Sequence, residues 1–142
     1  MEDAMVLLIE NSQAESTLAC AALALRPEIA VLAVSDVPAA IDLLQKRGGA
    51  GEVGIAILGR DAIGRSAGKL IEALSRAGRE IPVIGIAAGL RESDRRRALE
   101  AGVRAVYDRP RDWKSYSGLM QNLLAEWLAT RKDSAPRRGR TS

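Results

Sequence analysis

Ile55 to Gly68 reads IAILGRDAIGRSAG, an apolar run that stops at Gly59, Arg60 and Asp61 and then passes through Gly64 to Gly68. A short, unbroken apolar run is the pattern of a strand buried on both faces, here Val53 to Leu58. The glycine-rich stretch of Gly59, Gly64 and Gly68 predicts a loop, and a helix follows from about Ala67 to Ala77. Arg60 stands at the carboxyl end of this strand, with Asp61 one residue beyond.

The same alternation runs along the whole chain. Val6 to Ile9 (VLLI) predicts a first strand. Ser12 and Glu15 then read as a capping box, opening a helix with Leu18, Ala22 and Leu25 on one stripe and ending at Pro27. Ile29 to Val34 is the second strand. Ser35, Asp36 and Pro38 start a helix that carries Ala40, Ile41, Leu43 and Leu44 and closes at Gly48 to Gly51. Ile81 to Ala87 is the fourth strand. The helix RESDRRRALEAG buries Ala98 and Ala101 with Leu99 at the edge of that stripe, and stops at Gly102 before a short strand from Val103 to Tyr107. A last helix from Asp112 carries Leu119, Leu123, Leu124, Trp127 and Leu128.

Five repeats of strand then helix, with the strands buried on both faces, predict an α/β fold, a doubly wound (βα)5 domain with a parallel sheet. Of the two common strand orders, the flavodoxin-like 2-1-3-4-5 fits five strands in one domain of this size. In that order chemistry lies outside the carboxyl ends of strands 1, 3 and 4, which here are Glu10-Asn11, Gly59-Arg60 and Ala87-Ala88.

Composition narrows the function classes. The chain has 142 residues, 47% of them hydrophobic, which suits one globular domain with a sizeable core. It has no His and a single Cys20 within the apolar LACAALAL, so zinc, haem and His-based catalysis lose their usual groups and a buried thiol is expected. No run reaches the roughly 18 apolar residues of a membrane span and no basic leader is evident, so a soluble, cytoplasmic protein is expected and no membrane. The formal charge is +3, but Arg131 to Ser142 holds five Lys or Arg against one Asp, leaving residues 1–130 near −1. Residues 1–131 therefore read as one domain, and 132–142, rich in Pro, Gly, Ser and Arg, as a disordered basic tail.

Several segments in order also resemble one family. VLLIENS is similar to the first strand and acidic turn of the receiver domain of two-component response regulators, SDVPAAIDLL to its second helix, and IPVIGIAAG to its fourth strand. RESDRRRALEAGVRAVYDRP is similar to its fourth helix and fifth strand, and the resemblance spans about residues 4–130. It implies a domain of phosphorelay signal transduction that takes a phosphoryl group from a histidine kinase onto an aspartate at the end of strand 3. Two acidic residues after strand 1 would hold magnesium, a Thr or Ser after strand 4 would sense the phosphoryl group, and a Lys before a cis-proline would pair with it. The matching positions here are Glu10 and Asn11, Arg60 as the acceptor position, Ala87 and Arg109, and four of these five depart from the pattern.

The register rests on Gly68. In the family the acceptor lies eight residues before the glycine that opens helix 3, and counting back reaches Arg60, with Asp61 one residue late. A slipped register would make Asp61 the phosphoacceptor, at the cost of placing Gly59 and Arg60 last in the strand. Two places are open for the Arg60 side chain: an ion pair with Glu10 that replaces the metal, or a path out to water.

The expected function is a stand-alone pseudo-receiver, not an enzyme, without cofactor and acting by protein contacts. Magnesium enters only if Asp61 is phosphorylated. Partners would be a histidine kinase or other signalling protein, with a homodimer through helix 4, strand 5 and helix 5 as a further possibility. The face would use Arg95, Arg96, Arg97, Val106, Tyr107, Trp113 and Tyr116. Val106 holds the family's switching position, and Tyr107 lies on the other side of the strand by its period of two. Two other readings remain: an anion- or nucleotide-binding module using an Arg60/Arg109 pocket, and nucleic-acid contact through the tail, which has no recognition module beside it.

Overall fold

The computed structural model describes residues 5–46, 53–78 and 80–141, with side chains as far as 127. The predicted helix closure at Gly48 to Gly51 lies outside the described residues, as does the side chain of Leu128. In chain order the elements are β1 (Met5–Ile9), α1 (Gln13–Leu23), β2 (Ala30–Val34), α2 (Val37–Lys46) and β3 (Val53–Leu58). Then come a π-helical segment (Ala62–Ser66), α3 (Ala67–Arg76), β4 (Val83–Ala87), α4 (Glu92–Ala101), β5 (Ala105–Asp108) and α5 (Trp113–Thr141). The strands form one parallel sheet in the order β2-β1-β3-β4-β5, as predicted.

Two apolar layers cover the sheet. One face packs Val37, Ala40 and Leu44 of α2, Leu70 and Leu74 of α3, and Ala98 of α4 against Leu7, Ile9, Ala56 and Leu58. The other packs Ala19, Ala22 and Leu23 of α1 with Tyr116, Met120, Leu123 and Leu124 of α5 against Val6, Leu8, Ile55 and Ile57. β3 is buried at every residue, which is why its sequence is apolar without alternation. β2 and β5 differ from expectation: as edge strands they are only partly covered.

Helix boundaries follow local chemistry. Ser12 Oγ accepts the Glu15 N–H at 3.3 Å, but Glu15 turns its carboxylate elsewhere, so the capping box is half made. The buried stripe of α1 is Ala19, Ala22 and Leu23; Leu18 and Leu25, expected inside, are 37% and 55% exposed. This helix is apolar almost all round, so its period alone does not select a face. Asp36 Oδ1 caps α2 through the Ala39 N–H at 2.9 Å, and Asp112 Oδ2 caps α5 through the Ser115 N–H at 2.9 Å. Gly102, with φ of 117°, ends α4 in the left-handed conformation.

Residues 62–66 correct a second expectation, for the glycine-rich stretch is wound helix and not loop. Gly85 of β4 explains how it seats: a Cβ there would lie 2.6 Å from Ile63 Cδ1, so the missing side chain makes room for Ile63. The backbone of α5 also continues through 132–141, where a disordered tail was predicted; extending an existing helix needs no new nucleus. Among the described residues no helix is long and apolar enough to cross a membrane.

Gly85→Ala should destabilise the fold by about 1–3 kcal/mol through overpacking on Ile63. Gly118→Ala, in α5 with open space around it, should stabilise it by about 0.5–1 kcal/mol. Urea unfolding of both variants checks the opposite signs.

Candidate functional site

The carboxyl ends of β1, β3 and β4 meet as the strand order requires, and the residues singled out from the sequence are all near this edge. They do not converge. Arg60 Nη2 donates to the carbonyl oxygens of Ala88 at 3.0 Å and Gly89 at 3.1 Å, in the turn between β4 and α4. It therefore takes neither of the two places left open for it: it does not pair with Glu10 and does not run free into water. Gly89 has φ of 67°, the left-handed conformation that favours glycine, and a Cβ on it would lie 2.8 Å from that same nitrogen, so a side chain there would push the guanidinium aside. A charged donor on a carbonyl is worth about 1.5–3 kcal/mol when shielded and less at this exposed position.

With Arg60 turned toward β4, Asp61 faces the opposite way. Its Oδ2 accepts the Asn11 side-chain N–H at 2.7 Å. Glu10 lies over Gly59, where a Cβ would overlap its carboxylate, and Glu10 Oε2 accepts the Ser12 N–H at 3.0 Å. No cation approaches Glu10 among the described residues. Burial raises its pKa, the Ser12 N–H partly opposes that, and the charges of Glu15 and Asp61 raise it further.

Arg109, which the sequence resemblance matches to a receiver lysine, also turns away. Its Nε lies 2.9 Å from Glu15 Oε1, close in distance but off the hydrogen-bond axis, so the contact is an ion pair. Its Nη1 donates to Pro110 O at 3.0 Å, and its guanidinium carbon stands 5.9 Å from the Tyr116 ring centre. The Arg109–Pro110 bond is trans. Burial, followed by the charge of Glu15, pushes the Tyr116 hydroxyl up to about 12, so it stays a phenol. Ala87 is buried and brings no hydroxyl.

The arginine pocket proposed for an anion is therefore absent among the described residues. A cleft of about 310 Å³ does open beside the strand ends, but Asn11, Asp36, Asp61, Arg65 and Ser66 line it, with neither Arg60 nor Arg109. Its two carboxylates against one guanidinium make it acidic where a basic site was expected. A larger hollow of about 530 Å³ lies between α2 and α3, around Leu44 and Leu74, away from the strand ends. Magnesium takes oxygen ligands in a tight octahedron. Among the described residues no three His, Cys, Asp or Glu side chains gather closely enough to hold a metal.

The predicted interaction face is also partly redrawn. Tyr116 is 4% exposed, a core residue under Trp113 in an edge-to-face pair with centres 6.3 Å apart, and is lost to the surface. Arg95 staples α4 to β5 through Val106 O and Asp108 Oδ1, both at 2.8 Å. Val106 and Tyr107 are half-buried on opposite faces of the sheet. Arg97 Nη1 reaches Gly64 O at 3.3 Å. Arg96, Leu99 and Trp113 are left exposed. Sequence reasoning missed Ser12 and Glu15 as partners of Glu10 and Arg109, because both had been assigned to the helix cap.

No family model matches the chain, and no curated protein sequence does. Solved structures do. The chain is similar to a response regulator of red-light signalling from R. palustris, with 19% identity over 88% of this chain and 94% of that one and a TM-score of 0.73. It is similar to a phosphorylated cyanobacterial phytochrome response regulator at 18% identity, over 89% and 95% of the two chains, TM-score 0.71. A response regulator from Hahella chejuensis aligns at 16% identity over 88% and 95%, TM-score 0.72. The fold is that of response-regulator receiver domains.

The Glu10 shift has a testable sign. Its folded pKa lies above the unfolded value of 4.5, so stability is fullest below 4.5 and falls as pH rises through the folded value. Glu10→Gln should therefore raise the urea midpoint at pH 7, and the gap from wild type should close as the pH is taken below 4.5.

Proposed function

We propose that this chain is a receiver-fold signalling module that acts through protein contacts and does not take a phosphoryl group at the end of β3. The observation that carries the reading is Arg60, a fixed positive charge at the acceptor position, bonded to Ala88 O and Gly89 O. An arginine has no carboxylate to form an acyl phosphate, and its reach to the β4–α4 turn occupies the path along which a phosphoryl group would be sensed. Ala87 and the outward-turned Arg109 support the same reading, because sensing and charge neutralisation both lack their groups.

The partner in this reading is a histidine kinase or other signalling protein, docked on the exposed Arg96, Leu99 and Trp113 of α4 and α5. The module itself does no chemistry and keeps no resident metal. A second reading has one observation in its favour: Asp61, just past the end of β3, lines the acidic cleft and reaches Asn11, which leaves its carboxylate open to a donor. It would bring magnesium with it.

Incubation with magnesium and acetyl phosphate, read by intact mass, separates the two. The proposal expects no phosphoryl adduct under conditions that load a receiver with an intact acceptor. An adduct that disappears in Asp61→Asn would overturn it in favour of the second reading.

A further inference from the structure

Most cations of the described surface are engaged within the chain. Arg26 pairs with Glu28, Lys46 with Asp42, Arg76 with Glu72 and Arg97 with Asp94. The side chains of Arg65 and Lys69 make no ion pair or hydrogen bond among the described residues. Neither do those of Arg91, Arg96, Arg104, Arg111 and Lys114, which are all exposed and all lie between the start of α4 and the first turn of α5. The carboxylates of that stretch are already in use: Glu92 and Asp108 face Arg95, Asp94 faces Arg97, and Asp112 caps α5. Glu100 alone is left over there among the described residues. Residues 91–114 hold eight Arg or Lys against five Asp or Glu, whereas residues 1–90 hold eight against eleven.

The topology gathers these free charges around two apolar anchors. In a parallel sheet α4 begins and β5 ends at the same, carboxyl edge. Arg91 at the start of α4, Arg111 just past β5 and Lys114 in the first turn of α5 therefore share that edge with the exposed Trp113. Arg95, bonded to Val106 O and Asp108 Oδ1, holds α4 against β5. Arg96 and the exposed Leu99, three residues apart, lie on one side of α4, and Arg104 stands where β5 starts.

We infer that the partner meets this face with an acidic segment, Asp or Glu side chains set around one or two apolar residues. The inference rests on the reading of the chain as a contact module and names what the contacted protein carries. Trp113 and Leu99 supply the anchors that lose water on binding, and the free arginines supply charge around them. A single exposed ion pair contributes little, so the charges act together, chiefly on encounter rate and choice of partner. Discrete carboxylates suit the face better than a phosphodiester backbone does, because Glu92, Glu100, Asp108 and Asp112 stand among the cations and repel a continuous line of phosphates.

The test is a titration of the full chain into a dye-labelled synthetic peptide of about 12 residues, Glu and Asp around two leucines, followed by fluorescence anisotropy. Dissociation near 10–100 µM is expected at about 50 mM salt, weakening at least about fivefold at about 300 mM. A peptide with Gln and Asn for Glu and Asp should bind at least about tenfold more weakly. Arg91→Glu combined with Arg111→Glu, checked for an unchanged unfolding midpoint, should cost at least about tenfold, whereas Lys69→Glu, which reverses a free cation on α3, should cost less than about twofold. Absence of saturable binding, equal binding of the Gln and Asn peptide, or an equal loss in Lys69→Glu overturns the inference. So does a DNA duplex that binds at least about tenfold more tightly than the acidic peptide, which assigns the face to phosphates. The titration uses protein that intact mass shows to carry no phosphoryl group, so it stands or falls separately from the reading it rests on, which an adduct formed with acetyl phosphate would sink.

Discussion

Arg60 Nη2 lies between two backbone carbonyls, 3.0 Å from Ala88 O and 3.1 Å from Gly89 O, and the arrangement of the whole strand-end edge follows from that contact. The Ala88 and Gly89 carbonyls lie in the turn just past β4, and a guanidinium from the end of the adjacent strand, β3, reaches both with one nitrogen. Once Arg60 is committed to β4, the next residue in the winding chain, Asp61, is directed toward β1, where the Asn11 amide receives it. Glu10 is left without a cation and falls back on the Ser12 N–H, over a Gly59 that has no side chain to obstruct it. Arg109 meanwhile finds its anion on α1, in Glu15. Residues that would have to act together are thus held in separate pairs.

Such a division bears on switching as well as on chemistry. A two-state element responds to a ligand only through differential contacts in its two states. Here the β4–α4 turn has a side chain already bonded to it, and α4 is tied to β5 by Arg95 through Val106 O and Asp108. Both tethers favour one arrangement of the same elements. Protein contacts made by a fixed surface, as proposed above, need no second state.

The central strands were legible because β1, β3 and β4 are buried on both faces and so are written as unbroken apolar runs. The strand order followed from their alternation with helices. β2 and β5 were found but misjudged as fully buried, since AVLAV reads the same at an edge as in the middle of a sheet. The stripe of α1 was misphased because Leu18, Ala19, Ala22, Leu23 and Leu25 offer two faces of similar hydropathy. At the site, counting back from Gly68 reaches Arg60, which stands just past the end of β3. The direction of its side chain was not legible, nor was the Arg109–Glu15 pair, because both depend on contacts between residues far apart in sequence. Gly59 read as loop and Gly85 as an ordinary strand position, yet each is the space into which a side chain fits, Glu10 over the first and Ile63 against the second.

The hold of Arg60 on the β4–α4 turn is tested most directly by backbone amide relaxation dispersion at Ala88, Gly89 and Leu90, compared between the wild type and Arg60→Ala. Tethering predicts a turn without microsecond-to-millisecond exchange in the wild type and clear exchange broadening once the guanidinium is removed. Exchange already present in the wild type, unchanged by the substitution, would contradict it.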